Sequence, residues 1–173
     1  MTFAEFATAR LPALLRYAIA LTGDRDLAQD ILQDSLAKAQ ANWRRVERAN
    51  SPDAYVRQIV LNEYLSWRRR WSVRNIQAAG EHMVDLVDRR AATRDHADAV
   101  VDGDDVWARL ATLPRKQRAV LVLRYYEQLD DVEIASLLNC APVTVRSNAS
   151  KALKTLRLNS DRNHAQPRET SHV

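Results

Sequence analysis

Residues 130–156 read DDVEIASLLNCAPVTVRSNASKALKTL, and they predict how the C-terminal half of the chain folds. Asp130 followed by Glu133 has the spacing of a capping box and predicts a helix start. Pro142 opens a second helix, because proline is favoured at the first helical position. Only the three residues 139–141 separate the two helices. The stretch therefore predicts a helix-turn-helix.

The spacing inside this motif supports the prediction. Ala135 supplies the small residue needed where two helices cross steeply, and Asn139 stands where the turn needs left-handed backbone. Val145 faces back towards the first helix. The outward positions of the second helix carry polar or basic side chains, namely Thr144, Arg146, Ser147, Asn148, Ser150, Lys151 and Lys154. Such a surface is typical of major-groove reading. The alternative is an ordinary helix pair with a solvated face.

The rest of the chain also favours helices. Three Gly and five Pro in 173 residues argue against the many tight turns of an all-β protein. Thr2 with Glu5, and Ser51 with Pro52, have the spacing of helix starts. We expect Pro12 to kink the first helix or to begin a second one. The apolar positions of this first helix recur at helical spacing at Leu11, Leu14, Leu15 and Ala18.

The fold class predicted is all-α, with two small helical domains joined by a flexible acidic linker. Net charge is +3 over residues 1–72, −4 over residues 73–105 and +5 over residues 106–158. Basic segments suit a polyanion, since neutralising phosphates releases counterions. The predicted divisions are a domain at 1–72, a linker at 73–103, a domain at 104–158 and a disordered tail at 159–173. We expect the two domains to be loosely coupled in the free chain.

Several function classes are disfavoured. No apolar run approaches the roughly 20 residues of a membrane span, and the N-terminus lacks a signal-peptide pattern, so we expect a cytoplasmic protein. Cys140 is the single cysteine and is expected to be a small turn residue. No His pair has ligand spacing among His82, His96, His164 and His172, and no Gly-rich phosphate loop is present. We expect no catalytic residues, no metal and no cofactor, hence no enzyme.

Two sets of motifs resemble those of a known family. Residues 108–124 (ARLATLPRKQRAVLVLR), 129–135 (LDDVEIA) and 143–147 (VTVRS) resemble promoter-binding region four of sigma-70 family proteins. Residues 28–34 (AQDILQD) and 52–57 (PDAYVR), with Asn62, Arg68 and Arg69, resemble region two. Only these two regions are present, which is the arrangement of the extracytoplasmic-function (ECF) group. The stretch 21–24 (LTGD) is similar to actinobacterial members.

The resemblance implies a bacterial RNA polymerase sigma factor, which directs promoter recognition, DNA melting and transcription initiation. It implies core RNA polymerase (clamp helices of the largest subunit, and the flap) and promoter DNA as partners, with an anti-sigma protein as a further candidate. The implied core-binding residues are Asp30, Gln33 and Asp34. The implied minus-ten residues are Arg57, Asn62, Arg68, Arg69 and Arg70. The implied minus-thirty-five residues are Thr144, Arg146, Ser147, Ser150 and Lys151.

The chain departs from the family pattern at three positions. Asn139 replaces the turn glycine, and Val143 replaces the glycine that precedes the Thr-Val pair. Val143 removes a flexible position near the start of the second helix, which bears on its approach to phosphate. Asp34 stands where the family usually has Glu.

Other functions remain open at this point. A regulator could bind operators alone through the helix-turn-helix, but it would leave the stripe formed by Asp30, Gln33 and Asp34 unexplained. A nuclease would need a metal-spaced carboxylate cluster. An interaction protein of the anti-sigma kind would not need a recognition helix.

Overall fold

A computed structural model describes residues 1–76 and 105–165. We call these ranges the first lobe and the second lobe. The first lobe contains α1 (Phe3–Thr22), α2 (Arg25–Ala41), α3 (Trp43–Glu47) and α4 (Pro52–Ile76). The second lobe contains α5 (Asp105–Ala111), α6 (Arg115–Leu121), a π-helical turn (Val122–Tyr126), α7 (Asp131–Leu138) and α8 (Pro142–Ala165). No strand occurs within these two ranges, which confirms the all-α prediction.

The first helix begins and ends as the sequence predicts but is not divided. The capping box of Thr2 and Glu5 is formed, and Gly23 ends the helix with a φ of 68°. Pro12 lies inside one continuous α1, so of the two expected outcomes the start of a second helix at this residue is wrong. The predicted apolar stripe is also only partly buried, because Leu11 remains 44% exposed whereas Leu14 belongs to the core.

The remaining helices of the first lobe pack on α1. Asp24 caps α2 by accepting a hydrogen bond from the Leu27 amide at 2.8 Å. Ser51 caps α4 in the same way, accepting from the Ala54 amide at 3.2 Å. The core between these helices combines the aromatic residues Phe6, Tyr17 and Tyr64 with aliphatic side chains, including Leu21, Ile31, Leu32, Val56, Val60 and Leu61. A salt bridge between Lys38 and Glu63 joins α2 to α4 at the surface.

The second lobe has a break in its helical hydrogen bonding before the helix-turn-helix. In the π-helical turn, the Glu127 amide donates to the carbonyl of Val122 at 3.1 Å, five residues back. Gln128 follows with a φ of 57°. The capping box of Asp130 and Glu133 then begins α7, as the sequence predicts. The π turn thus ends one helical run and lets the next begin in another direction.

The two lobes pack against each other in this structure, and the loose coupling expected of the free chain stays a prediction. Helix α1 contacts both α5 and α6, and one hydrophobic cluster extends through both lobes. Tyr17 of α1 is fully buried, and its ring lies 5.7 Å from that of Tyr126 in the π turn. Arg118 of α6 is 1% exposed and lies over Gly23. The end of α1 is therefore a shared element of both lobes.

The ends of two helices lie beyond the predicted boundaries. Helix α8 continues to Ala165, seven residues into the predicted tail, so residues 159–165 are helical instead of disordered. Helix α4 extends to Ile76, beyond the predicted start of the linker. The rest of the linker, 77–103, and of the tail, 166–173, lies outside the described residues.

Gly23→Ala should lower the free energy of unfolding by about 1–3 kcal/mol, since a β-carbon is disfavoured in left-handed backbone. That atom would also lie 2.7 Å from Nη2 of Arg118. Urea unfolding followed by circular dichroism measures the change. Asn139→Gly is the control, because it places glycine at another left-handed cap and should not destabilise the protein. A Gly23→Ala protein as stable as the parent would contradict this account of the cap.

Candidate nucleic-acid interface

The helix-turn-helix is built from α7 and α8 as the sequence predicts. Asn139 ends α7 with a φ of 52° and a ψ of 51°, the left-handed conformation expected there. Ala135 is buried where the two helices meet. Val145 is fully buried with Ala149 and Ala152 behind it, so one face of α8 is fixed against the lobe. The opposite face of α8 is thereby directed to solvent.

All five residues predicted to meet the minus-thirty-five element lie on this solvent face. Thr144, Arg146, Ser147, Ser150 and Lys151 are exposed along the first three turns of α8. Two of them are basic and none is acidic, so the face can donate hydrogen bonds and attract phosphate. Val143, which replaces the family glycine, is also exposed and is accommodated in the first turn of the helix.

A carboxylate beside this face holds two arginines. Asp131, in the first turn of α7, forms a salt bridge with Arg124 and lies 3.9 Å from Nη1 of Arg146. The hydrogen bond from Arg124 to Asp131 raises the pKa of Arg124 above its ordinary value. Asp131 therefore links the π turn, α7 and the exposed arginine of α8.

The stripe predicted for core binding lies on α2. Asp30, Gln33 and Asp34 are exposed, while Ile31, Leu32 and Ser35 of the same helix are buried. At about 100° per residue, the three exposed positions fall within one turn on the same side of the helix. The structure thus brings two carboxylates and an amide to one surface, remote in sequence from α8.

The residues predicted for the minus-ten element do not share one face of α4. At about 100° per residue, Arg57 and Arg68 lie within about 20° of each other, and Asn62 and Arg69 form a second pair about 120° away. Asn62, Arg69 and Arg70 are exposed. Arg57 and Arg68 are half-buried and turn towards the second lobe. The predicted set is therefore divided between solvent and the interface of the lobes.

Within 1–76 and 105–165, no three His, Cys, Asp or Glu side chains are grouped so that they could hold a metal ion. No helix in those ranges is long and apolar enough to cross a membrane. Cys140 is a free, half-buried cysteine in the turn between α7 and α8.

Comparison with known proteins finds the same two regions. Residues 6–73 match the family described as sigma-70 region 2, and residues 104–156 match sigma-70, region 4. The RNA polymerase sigma-E factor of Streptomyces coelicolor is 34% identical over 157 residues, which are 91% of this chain and 85% of that protein. The chain belongs to the sigma-70 family of RNA polymerase sigma factors. Members of this family are transcription initiation factors.

Further relatives place this sigma-70 family chain in the ECF group. The ECF RNA polymerase sigma factor SigL of Mycobacterium tuberculosis is 30% identical over 149 residues, covering 84% of this chain and 81% of that one. A solved structure, described as the sigma factor RpoE in complex with the anti-sigma factor NepR from Bartonella quintana, has a TM-score of 0.50 at 24% identity. It covers 90% of this chain and 94% of the other, and it supports the fold.

Sequence reasoning missed the residues that join the lobes of this sigma-70 family chain. Tyr126 and Glu127 approach Arg57, which is about 70 positions earlier in the chain. Arg118 is buried although it is charged. Its only sequence signal is its place at the edge of the apolar run 119–123. The contacts of Tyr126 and Glu127 leave no local pattern, because their partner is distant in sequence.

The pair Arg124 and Asp131 should show a coupling free energy of about 1–2 kcal/mol in a double-mutant cycle of alanine substitutions. Both side chains are about three-quarters buried, which limits screening by solvent. Equilibrium unfolding in urea gives the four stabilities. The control cycle pairs Asp131 with Arg146, whose side chain is 59% exposed, and should give less than about 0.5 kcal/mol. Equal coupling in both cycles would show that Asp131 has no preference for Arg124.

Proposed function

We propose that this sigma factor divides three contacts among three surfaces of its two lobes. The stripe of Asp30, Gln33 and Asp34 binds core RNA polymerase, α4 meets the minus-ten element, and α8 reads the minus-thirty-five element. The observation that carries the proposal is the exposed, acid-free face of α8 on a lobe separate from the exposed acidic stripe of α2. One chain thus offers an acidic surface for a protein and a basic surface for DNA.

The reading of duplex DNA is assigned to α8. Its buried face, centred on Val145 and Ala149, packs on the second lobe, so the outward side chains have a fixed direction. Arg146 and Lys151 can donate to the acceptor edge of guanine, while Thr144, Ser147 and Ser150 are suited to base edges or phosphate. Asp131 lies 3.9 Å from Nη1 of Arg146 and leaves that side chain 59% exposed, so its guanidinium is accessible to DNA.

The binding of core polymerase is assigned to α2. Asp30 and Asp34 present carboxylates one helical turn apart, with Gln33 between them, on a helix anchored through Ile31 and Leu32. Two anchored carboxylates suit a basic protein surface, because complementary charge speeds association and fixes register. We assign that surface to the clamp helices of the largest subunit, and a second contact of the polymerase flap to the second lobe.

The minus-ten element is assigned to α4. Asn62 accepts a hydrogen bond from Gln58 at 3.1 Å and is exposed, so it can exchange this partner for the edge of an extruded base. The adjoining Arg69 and Arg70 are exposed and suited to phosphates of a melted strand. Arg57 and Arg68 complete the set once they are released from the second lobe. No cofactor and no catalytic group is required, and the protein acts in the cytoplasm, where an anti-sigma protein is a candidate regulator.

Run-off transcription tests the proposal against an operator-binding regulator. Core polymerase with this protein should yield transcripts with a defined 5′ end, and core alone should not. The promoter is found by sequencing the RNA ends made on genomic DNA. A protein that binds DNA specifically on its own, yet gives no defined start with core, would favour the regulator.

Reversing both Asp30 and Asp34 to Lys should abolish co-purification with core polymerase, since like charges at an interface cost several kcal/mol. Helicity should be unchanged, because both side chains are exposed. Glu47→Lys is the control, because Glu47 is exposed on the same lobe and forms a salt bridge with the amino terminus of the chain. Undiminished binding of the double variant would remove this assignment.

Arg146→Ala and Lys151→Ala should each weaken promoter use by roughly 1–3 kcal/mol if the side chain contacts a base. Abortive initiation on a set of promoter variants measures this. A loss that depends on one base pair identifies base reading, and a uniform loss identifies a phosphate contact. Arg157→Ala, an exposed basic position farther along α8, serves as the control. Full activity of the Arg146→Ala, Lys151→Ala double variant would exclude α8 as the reading helix.

A further inference from the structure

The side chain of Asn62 is bonded differently from those of three other asparagines of the chain. Asn42, Asn75 and Asn148 each donate Nδ2 to the backbone carbonyl four residues earlier, at 3.0 to 3.1 Å. Asn62 instead accepts at Oδ1 a hydrogen bond of 3.1 Å from Nε2 of Gln58. Its Nδ2 has no hydrogen-bond acceptor among the residues that the structure describes. The donor end of this exposed amide is therefore available to a ligand.

The amide pair lies on an exposed face of α4 whose backbone is anchored in the core. Leu61 and Leu65 are 1% and 5% exposed, so they hold the turn that carries Asn62 against the first lobe. At about 100° per residue, Gln58, Asn62 and Arg69 fall within about 40° of one another. All three are exposed, and Arg69 lies about 10 Å farther along the helix than Asn62. Because Oδ1 faces Gln58, Nδ2 is turned away from it.

No charged side chain on α4 competes with Asn62 for the side chain of Gln58. Side chains on one face of a helix meet those three and four residues away. At these distances from Gln58 the residues are uncharged, namely Ala54, Tyr55, Leu61 and Asn62. Glu63, which follows Asn62 in the sequence, forms a salt bridge with Lys38 of α2. Asn62 is therefore the polar partner towards which a new side chain at position 58 would turn.

The free end of the Asn62 amide decides which base edge it can bind. Nδ2 only donates, so it needs an acceptor such as O4 of thymine or O6 of guanine. Oδ1 only accepts, so it needs a donor such as the amino group of cytosine or adenine. Gln58 also carries an amide, so the two side chains can exchange their donor and acceptor ends together. An amide pair of this kind on a helix favours one arrangement by about two-fold.

We propose that Gln58 is a positioning residue, which sets whether Asn62 presents a donor or an acceptor to the extruded base of the minus-ten element. This role rests on the proposed function of Asn62 as the residue that binds this base. Gln58 holds Oδ1 and leaves Nδ2 free, so the parent protein favours a base that offers an acceptor. The base need not displace Gln58, because it binds the other end of the amide.

Three substitutions of Gln58 should change the base preference in different directions. Gln58→Arg can only donate, so Oδ1 stays held, and the preference for an acceptor base should rise from about two-fold to about five-fold, the size of one neutral hydrogen bond. Gln58→Glu can only accept, so the Asn62 amide should turn round. The preference should then invert to about five-fold in favour of a base that offers a donor. Gln58→Ala removes the constraint and should leave no preference between the two kinds of base.

Transcription from a randomised template library measures these preferences. Core polymerase with each variant transcribes templates that carry every base at each position of the minus-ten element, and sequencing gives the amount of RNA per template. The ratio of thymine to cytosine is the most direct reading, because the two bases share one ring size and differ in offering an acceptor or a donor at the same ring position. Comparing this ratio between variants cancels the cost of melting and the uniform effect of an added charge on DNA binding.

Two control variants accompany the series. Gln40→Glu makes the same change of charge at an exposed glutamine of α2, and it should leave every base preference as in the parent. Asn62→Ala identifies the position that Asn62 reads, because the preference should disappear at that position alone. Asn62 is exposed, so this substitution should leave the fold intact, and circular dichroism checks each variant.

The failure of Gln58 as a positioning residue is distinct from the failure of Asn62 as a base reader. If Asn62→Ala changes no base preference, Asn62 does not read a base, and the role of Gln58 falls with it. If Asn62→Ala removes a preference at one position, Asn62 reads that base. Equal ratios of thymine to cytosine there in Gln58→Arg and Gln58→Glu would then refute the role of Gln58 alone. An inversion in Gln40→Glu as large as that in Gln58→Glu would refute it as well.

Discussion

The arrangement of the whole molecule depends on the last two turns of α1. Tyr17, Ala18, Ala20, Leu21 and Thr22 are all buried, and at about 100° per residue they span more than half of the helix circumference. Helices α2 and α4 of the first lobe and α5 and α6 of the second all contact α1. Small domains bury a low fraction of their surface. Sharing α1 lets two small lobes build one larger core.

The polar part of this interface makes the association reversible. Arg57 meets two carboxylates, Asp53 from its own helix and Glu127 from the second lobe, so its charge stays compensated when one of them leaves. Removing a charged pair from water carries a cost that offsets most of its attraction. An interface between domains that mixes polar and apolar contacts allows relative motion of the domains, whereas a large apolar interface does not. The apolar rings favour closure, and the charges lower the cost of opening.

Features set by neighbours in sequence could be predicted, and features set by distant contacts could not. The left-handed Asn139 and the buried Val145 follow from spacing within one motif, and both are confirmed. The local pattern left open whether Pro12 would begin a second helix, and the structure has one continuous α1 there. The contact of Arg57 with Glu127 joins two helices that no local pattern relates. The five residues of α4 predicted for the minus-ten element are divided between solvent and the second lobe. This division depends on where the second lobe packs, which no local pattern shows.

The π-helical turn fixes the direction in which Tyr126 points towards Arg57 of the first lobe. It holds one residue more per turn than an α-helix, and its last residue is Tyr126. A chain one residue shorter here would regain α-helical winding and rotate the following side chains by about 100°. Asp130 would still cap α7, so the reading unit would survive while Tyr126 turned away from Arg57. Deletion of a single codon at this point would thus change the contact between the lobes and leave the helix-turn-helix unchanged.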